Sequence, residues 1–421
     1  MKPVPLFVTL AMPSTLLGQQ GSEPIQITLD DAVVRAVAAS PGVSLAEGAI
    51  FAAEGRRSQT TWPFVSNPTV EFERTRRRVL SGEVYDVGWR FSQMLEVSGA
   101  SLRGRGAADA RIQASRAYVV DATRKVTLET QLSYTRLHLA ERRAELATSH
   151  AELAVELAEL AQLQLDAGEV NVLSFNTAAL EAARARSLAD RSNAERFAAQ
   201  AEMARLLAEE GGASIMTAAL PELPVTLPET EAIVDSAMRR RPDLEAVTLE
   251  REAAAGQLSA SRRSRVPGLE LAVFSGEEEG TDELLGLSLG VAIPLFQRSQ
   301  ADVGAARAEQ AAAQARSDAM LRAIRSEVEG WAERYRGAQR AERRFADELL
   351  LASRENVDLA ARAFEEGELS VADVVVFQST ALAAQLEYLD VLADAYGAWF
   401  ELAAAVHVRP EHLATLAGDA S

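Results

Sequence analysis

This chain is written twice. ITLDDAVVRAVAASPG at residues 27–42 returns as VTLPETEAIVDSAMRRRPD at 225–243, with Ser40-Pro41 answered by Arg241-Pro242. RFSQMLEVSGASLRGRGAADARIQA returns as GVAIPLFQRSQADVGAARAEQAAA, and LDAGEVNVLSFNTAALEAA as FEEGELSVADVVVFQSTALAA, so Gly168-Glu169 matches Gly367-Glu368. The offset stays close to 200 residues. A repeat of that length is a duplication of one structural unit, not the short stacked repeat of a solenoid. PELPVTLPET, 221–230, joins the copies as a proline-rich linker. The division expected is 24–220 for the first repeat, 221–409 for the second and 410–421 for a tail, with the two repeats forming one structural domain.

Each copy follows one plan. A helix over 30–61 or 230–265 leads into two strand-like segments. A long helical stretch over 100–166 or 299–366 follows, then a glycine-centred turn and a returning helix over 171–209 or 370–407. Leu146, Leu153 and Leu160 recur every seven residues with Leu157 between them, as do Leu350, Val357 and Phe364. That spacing predicts a coiled-coil seam. Aromatic residues are only 5% of the chain, so its helices are expected to pack through Ala and Leu. The fold class is mainly α with a small β part.

The β part has its own period. Tyr85, Val87, Trp89 and Phe91 alternate with Asp86, Gly88, Arg90 and Ser92; Leu285, Leu287, Leu289, Val291 and Ile293 alternate with Gly286, Ser288, Gly290 and Ala292. Val70 and Phe72 stand against Glu71, Glu73 and Thr75, and Leu269, Leu271 and Val273 against Glu270 and Ala272. Alternation at a period of two places one side chain type on each face of a strand. A sheet with one face on a soluble core wants this pattern, and so does the wall of a transmembrane barrel with strands of roughly 9–11 residues. The long helices pair with each other and leave no layer for the sheet, the tiny residues leave the second face open as a lumen, and Trp62 and Trp89 lie at or within strands. These features favour the barrel. Four strands cannot close, and lipid does not tolerate open edges, so copies must associate: two would give eight strands and three would give twelve.

Formal charge is −18, from 43 Lys and Arg against 61 Asp and Glu, which argues against a nucleic-acid partner. There is no cysteine, hence no disulfide, thiolate metal site or lipid-anchored cysteine. The N-terminus, MKPVPLFVTLAMPSTLLGQQGSEP, reads as a secretory signal over residues 1–20, the alternative being a disordered or buried segment. No run is long and apolar enough to cross a membrane as a helix. His138, His150, His407 and His412 lack the close spacing of a metal site. Neither a catalytic constellation nor a phosphate-binding glycine loop is present, so no cofactor is expected and the chain is not read as an enzyme.

The duplicated helix–strand–strand–long helix–turn–helix unit resembles the outer-membrane efflux protein family, the TolC-like channels. SQMLEVSGASLRGR and VAIPLFQRSQADVGAARAE look like that family's strand-to-helix junctions, and DAGEVNVLS and EEGELSVAD like its periplasmic tips. The resemblance covers about residues 27–407, and IPLFQRSQ is most similar to members serving heavy-metal pumps of the cobalt–zinc–cadmium and copper–silver type, with multidrug or type I export the nearest rival. It implies a homotrimer in the outer membrane of a Gram-negative bacterium, with a long periplasmic part. A trimeric α-helical barrel would carry a twelve-stranded transmembrane β-barrel, four strands from each protomer. The implied partners are outer-membrane lipid, a periplasmic membrane-fusion adaptor and an inner-membrane pump of the resistance-nodulation-division type. The alternative of another class is a soluble periplasmic coiled-coil scaffold.

On this resemblance Gly168, Glu169, Val170 and Asn171, with Gly367, Glu368, Leu369 and Ser370, are the adaptor-contacting tips. Asp373 falls where related drug-exporting channels carry an aspartate that constricts the closed tunnel. The family's second aspartate is replaced by Val376; the aspartate of the first-repeat lock falls at Ser174 and its basic partner at Leu369. The expectation is therefore an Asp373 ring, with closure by apolar packing of Leu369, Leu173 and Val376. Tyr85, Val87, Trp89 and Phe91, with Leu285, Leu287, Leu289 and Val291, are expected to face lipid.

Overall fold

A computed structural model describes residues 25–60, 62–64, 66–79, 82–209, 215–224, 226–278 and 282–418. The expected signal segment, 1–20, lies outside the described residues. In chain order the elements are β1 (Ile25–Ile27), α1 (Leu29–Ala39), α2 (Pro41–Ser58), β2 (Thr69–Val79), β3 (Gly82–Leu95), α3 (Ala100–Asp166) and α4 (Val172–Leu206). The second copy runs β4 (Ile215–Thr217), α5 (Thr230–Arg240), α6 (Pro242–Arg263), β5 (Leu269–Glu278), β6 (Asp282–Val291), α7 (Gln300–Arg344), a π-helical turn (Phe345–Leu349), α8 (Leu350–Glu365), α9 (Val371–Val406) and a 3₁₀ stretch (Pro410–Gly418).

The single leading helix expected in each copy is two helices. Pro41 and Pro242 each sit at the first position of the second one, where the missing N–H is no loss and the fixed φ starts a helix. Ser40 caps the break by accepting from the Val43 N–H. α3 is unbroken over 67 residues, roughly 100 Å at 1.5 Å per residue. Its counterpart is interrupted by the π-helical turn at Phe345–Leu349, which the sequence pattern does not announce. The Pro-rich linker is held down, not loose: Tyr396 and Tyr335 donate to the carbonyls of Pro221 and Pro224 at 2.8 and 2.7 Å.

The helical seam differs from the expected leucine stripe. Ala147, Ala151 and Ala154 of α3 bury against Ala182, Ala185 and Ala189 of α4, while Leu146, Leu153 and Leu160 are only half-buried beside them. Methyl side chains at the contact let two long helices approach closely, and the leucines flank that line. The thick core lies elsewhere, around Trp399, Phe400, Tyr335, Ile324 and Ile233, where α5, α7 and α9 meet. A second cluster joins α1, α3 and α4 around Tyr134, Leu137 and Met203, beside the short parallel pair of β1 with β4.

The four remaining strands form one antiparallel sheet in the order β2-β3-β5-β6. Two hairpins, one from each copy, meet at β3 and β5, leaving β2 and β6 as free edges among the described residues. β2 and β3 run longer than the alternation suggests, to Val79 and Leu95.

Candidate functional site

Registry decides what each sheet face carries. Phe72 pairs with Trp89, Val70 with Phe91, Phe91 with Val273, and Val273 with Leu287. Leu271 lies opposite Leu289, Leu269 opposite Val291, and Ser275 opposite Leu285. Directly opposed residues share a face, so Tyr85, Val87, Trp89, Phe91, Leu285, Leu287, Leu289 and Val291 come together on one apolar surface. Among the described residues no helix packs across it: Leu285 and Leu287 are 81% and 83% exposed, and Trp89 is 55% exposed, its ring centroid 4.6 Å from that of Phe72. An apolar area of this extent left bare on a folded chain marks a contact with lipid or protein.

The other face is charged. Glu71, Glu73, Asp86, Glu270, Glu278 and Asp282 lie there with Arg77 and Arg90. It is less open than the run of tiny residues implies. Phe274 points to this side and fills the place a side chain at Gly286 would need, and the Arg90 guanidinium lies 5.6 Å from the same ring. The glycine makes room for a cross-strand aromatic, a pairing that hides in sequence because Phe274 and Gly286 are twelve positions apart. The longer β2 also adds Arg76 and Arg78, with Arg74, to the apolar side near the hairpin turn. Arg74 stacks 4.5 Å over Tyr85, and Arg78 reaches Glu83 at 3.2 Å.

Where the sheet becomes helix, Glu96 does the capping. Its two carboxylate oxygens accept from the N–H groups of Ala100 and Ser101, both at 3.1 Å, and from the Ser98 hydroxyl. Burial pushes its pKa up, but these hydrogen bonds outweigh burial and hold it below the usual value. Gly99 precedes α3 with φ +70°, and Ser299 takes the same left-handed place before α7 with φ +53°.

At the far end, both copies turn on a left-handed glycine, Gly168 and Gly367, each with φ +77°. The N–H groups of Glu169 and Glu368 reach back to the carbonyls of Gln164 and Ala363, closing each helix with a Schellman turn. Asn171 then caps α4, accepting from the Ser174 N–H at 2.9 Å. Ser370 caps α9 in a reciprocal box with Asp373: Asp373 accepts from the Ser370 N–H at 3.0 Å and its hydroxyl at 2.7 Å. These bonds hold the Asp373 carboxyl below the ordinary aspartate value. Asp373 is thus a capping residue in this chain, a local duty that the spacing Ser-x-x-Asp spells out.

The two tips lie side by side. Ala161 and Ala178 of one pack with Val371 and Val375 of the other, flanked by Phe175 and Phe364. Leu369 is half-buried outside this cluster, and Leu173 and Val376 stay 74% and 55% exposed and take no part in it either. Phe175 of α4 and Val371 and Val375 of α9 were not singled out from sequence, although the i, i+4 spacing of the two valines carries a signal.

A buried charge cluster was also missed. The Arg241 side chain, only 4% exposed, donates to both Asp243 oxygens and to Glu327 at 2.7 Å. Arg124 meets Asp121 at 2.6 Å and donates to the Ala404 carbonyl at 3.1 Å. The cluster ties α3, α6, α7 and α9 together. The clue lies in Arg-Pro-Asp at 241–243, charges flanking a helix-starting proline. The histidines are dispersed: His138 contacts Thr217 at 2.8 Å, His150 lies 3.6 Å from Glu181, and His407 ends α9. Among the described residues no three His, Asp or Glu side chains gather as a metal group would require.

Comparison with known proteins agrees with this architecture. The model of the outer membrane efflux protein family matches residues 233–406. No curated protein matches the sequence. Among solved structures, the outer-membrane channel OprN superposes with a TM-score of 0.76 at 18% identity, over 91% of this chain and 90% of that one. CusC gives 0.76 at 16% identity, over 96% and 98%, and the outer membrane protein VceC of Vibrio cholerae 0.74 at 17%, over 90% and 95%. The second copy thus matches the outer membrane efflux protein family, and the chain as a whole shares the fold of these solved channels.

Proposed function

We propose that three copies of this chain form a passive export duct across the outer membrane of a Gram-negative bacterium, and that it serves a tripartite efflux system. The observation that carries the reading is the sheet: an uncovered apolar face, a charged opposite face, and two free edges within one chain. In lipid, edge N–H and C=O groups must find partners, and only a closed barrel supplies them. Twelve strands from three copies would put Leu285, Leu287, Leu289, Tyr85 and Trp89 against acyl chains and the acidic face toward water. A soluble scaffold, the alternative, would instead cover that apolar face with its own helices, and among the described residues none lies there.

The tips would contact a periplasmic adaptor, which would hand substrate over from an inner-membrane pump. Gly168, Glu169, Asn171, Gly367 and Glu368 are the exposed turn residues available for this, with Val170, Leu369 and Ser370 half-buried beside them. Leu173 and Val376, bare in one copy, would meet their equivalents around the axis and narrow the tunnel with Leu369. Asp373 would remain charged, since its capping bonds favour the carboxylate, and three copies would form a cation-attracting ring. We favour heavy-metal cations as cargo, on the likeness of IPLFQRSQ and the acidic sheet face; drugs are the second reading.

Planar bilayers test the duct. The purified protein should open discrete cation-preferring channels, and Asp373→Asn should weaken block by multivalent cations added at the helical end. Absence of any conductance sinks the duct; unchanged block by the variant sinks the ring. A deletion strain sensitised to metals but not to drugs would support the cargo, and the opposite pattern would refute it.

A further inference from the structure

β3 outlasts its hairpin partner. Ser92 is held from both sides, by Thr69 and Ala272, but Gln93, Met94 and Leu95 pair within the sheet only with Leu271, Glu270 and Leu269. The joint between the two copies of the unit therefore supports the last residues of β3. β6 is the counterpart of β3 in the second copy, and it stops at Val291, opposite Leu269. No described strand pairs with Ala292–Leu295, where Ile293 and Leu295 are strongly exposed.

The duplication shows what those residues lack. Two anchors align the hairpins: the left-handed Gly99 and Ser299 before the long helices, and the closing pairs Val79–Gly82 and Glu278–Asp282. On this alignment β3 maps onto β6, and β5 onto β2. The joint β3–β5 then has a counterpart between β6 of one copy and β2 of the next. Ser92–Ala272 becomes Ala292–Glu73, Gln93–Leu271 becomes Ile293–Phe72, and Leu95–Leu269 becomes Leu295–Val70.

We propose that β6 extends through Leu295 on assembly and pairs antiparallel with β2 of a second copy of this chain in that register. The inference rests on the trimeric duct proposed above and goes further, fixing which residues meet. Faces agree: Phe72 and Val70 already lie on the apolar side, and Glu73 on the charged side. A slip of one residue would turn every side chain to the wrong face, so the nearest competitors are slips of two. Arg74 falls opposite Val291 in this register. Its guanidinium already leans along Tyr85 toward the hairpin end, where Arg76 and Arg78 reach Glu83, so the charged heads leave the apolar rows.

Because the chain has no cysteine, paired substitutions report the register without background. Each protomer would carry Ala292→Cys with Glu73→Cys, or Gly290→Cys with Thr75→Cys, and be oxidised in outer membranes. Ser92→Cys with Ala272→Cys, the internal equivalent, calibrates folding and oxidation within one copy. Disulfides demand close Cα and Cβ geometry, so the named pairs should give at least about tenfold more reducible covalent trimer than pairs slipped by two, such as Gly290→Cys with Glu73→Cys or Gly290→Cys with Arg77→Cys. Trimer formed only by a slipped pair overturns the register and leaves the duct standing. No intermolecular bond from any pair, with the internal disulfide formed, overturns the register and the duct together.

Discussion

At Gly286 the nearest ring atom of Phe274 would lie 2.2 Å from an added Cβ. Gly286→Ala should therefore cost about 1–3 kcal/mol by forcing the ring aside, and Phe274→Leu should restore most of the loss. Heat-stability of the detergent-extracted protein, measured as a double-mutant cycle, reads both effects. Glu96 supplies the cap that Gly99 cannot, and Glu96→Ala should cost about 1–2 kcal/mol. Since its folded pKa is depressed below 4.5, its contribution is present above that value and fades as pH falls through the lower folded value. Acid titration of stability should thus be shallower in Glu96→Gln than in the parent chain. Such residue-scale roles were only partly legible. Ser370-x-x-Asp373 is a local signature, whereas the Phe274–Gly286 contact depends on a strand register that composition does not contain.

Among the elements, the tip glycines and strand alternation could be read directly, because each acts through its own backbone; the prolines marked the repeat but not the helix break that each one makes. The seam could not. Leucines at heptad spacing stand out in a sequence, yet the alanines between them bury, since what matters across two 100 Å helices is how closely the backbones approach. The alternation in β2 is legible only as far as Thr75, because an arginine run hides strand character; pairing with β3 carries the strand to Val79. The Arg241 cluster was equally hidden, its partners Asp243 and Glu327 lying on different helices. Arg241→Ala leaves Asp243 with the more distant Arg124, at 3.8 Å, and takes a partner from the half-buried Glu327, and should cost about 3 kcal/mol. Denaturation of the purified protein checks this; a loss under about 1 kcal/mol, within the usual range for an exposed pair, would mean the cluster is solvated.

For the whole molecule, the duplication foretold two hairpins in one sheet, and the strand alternation foretold a sheet face of apolar side chains. The number of copies was not written in either, because closure is a property of edges meeting between chains. The account places Leu287 against lipid and Leu284 toward the charged face, so Leu287→Arg should cost about 2–4 kcal/mol in barrel stability while Leu284→Arg is tolerated. Heat-resistance of outer-membrane trimers on gels separates the two. The central claim is that this chain completes its sheet only with copies of itself in a membrane. Native mass measurement of the detergent-extracted protein addresses it most directly. The account predicts a single species of three chains that precipitates when detergent is withdrawn; a stable, detergent-free monomer would contradict it.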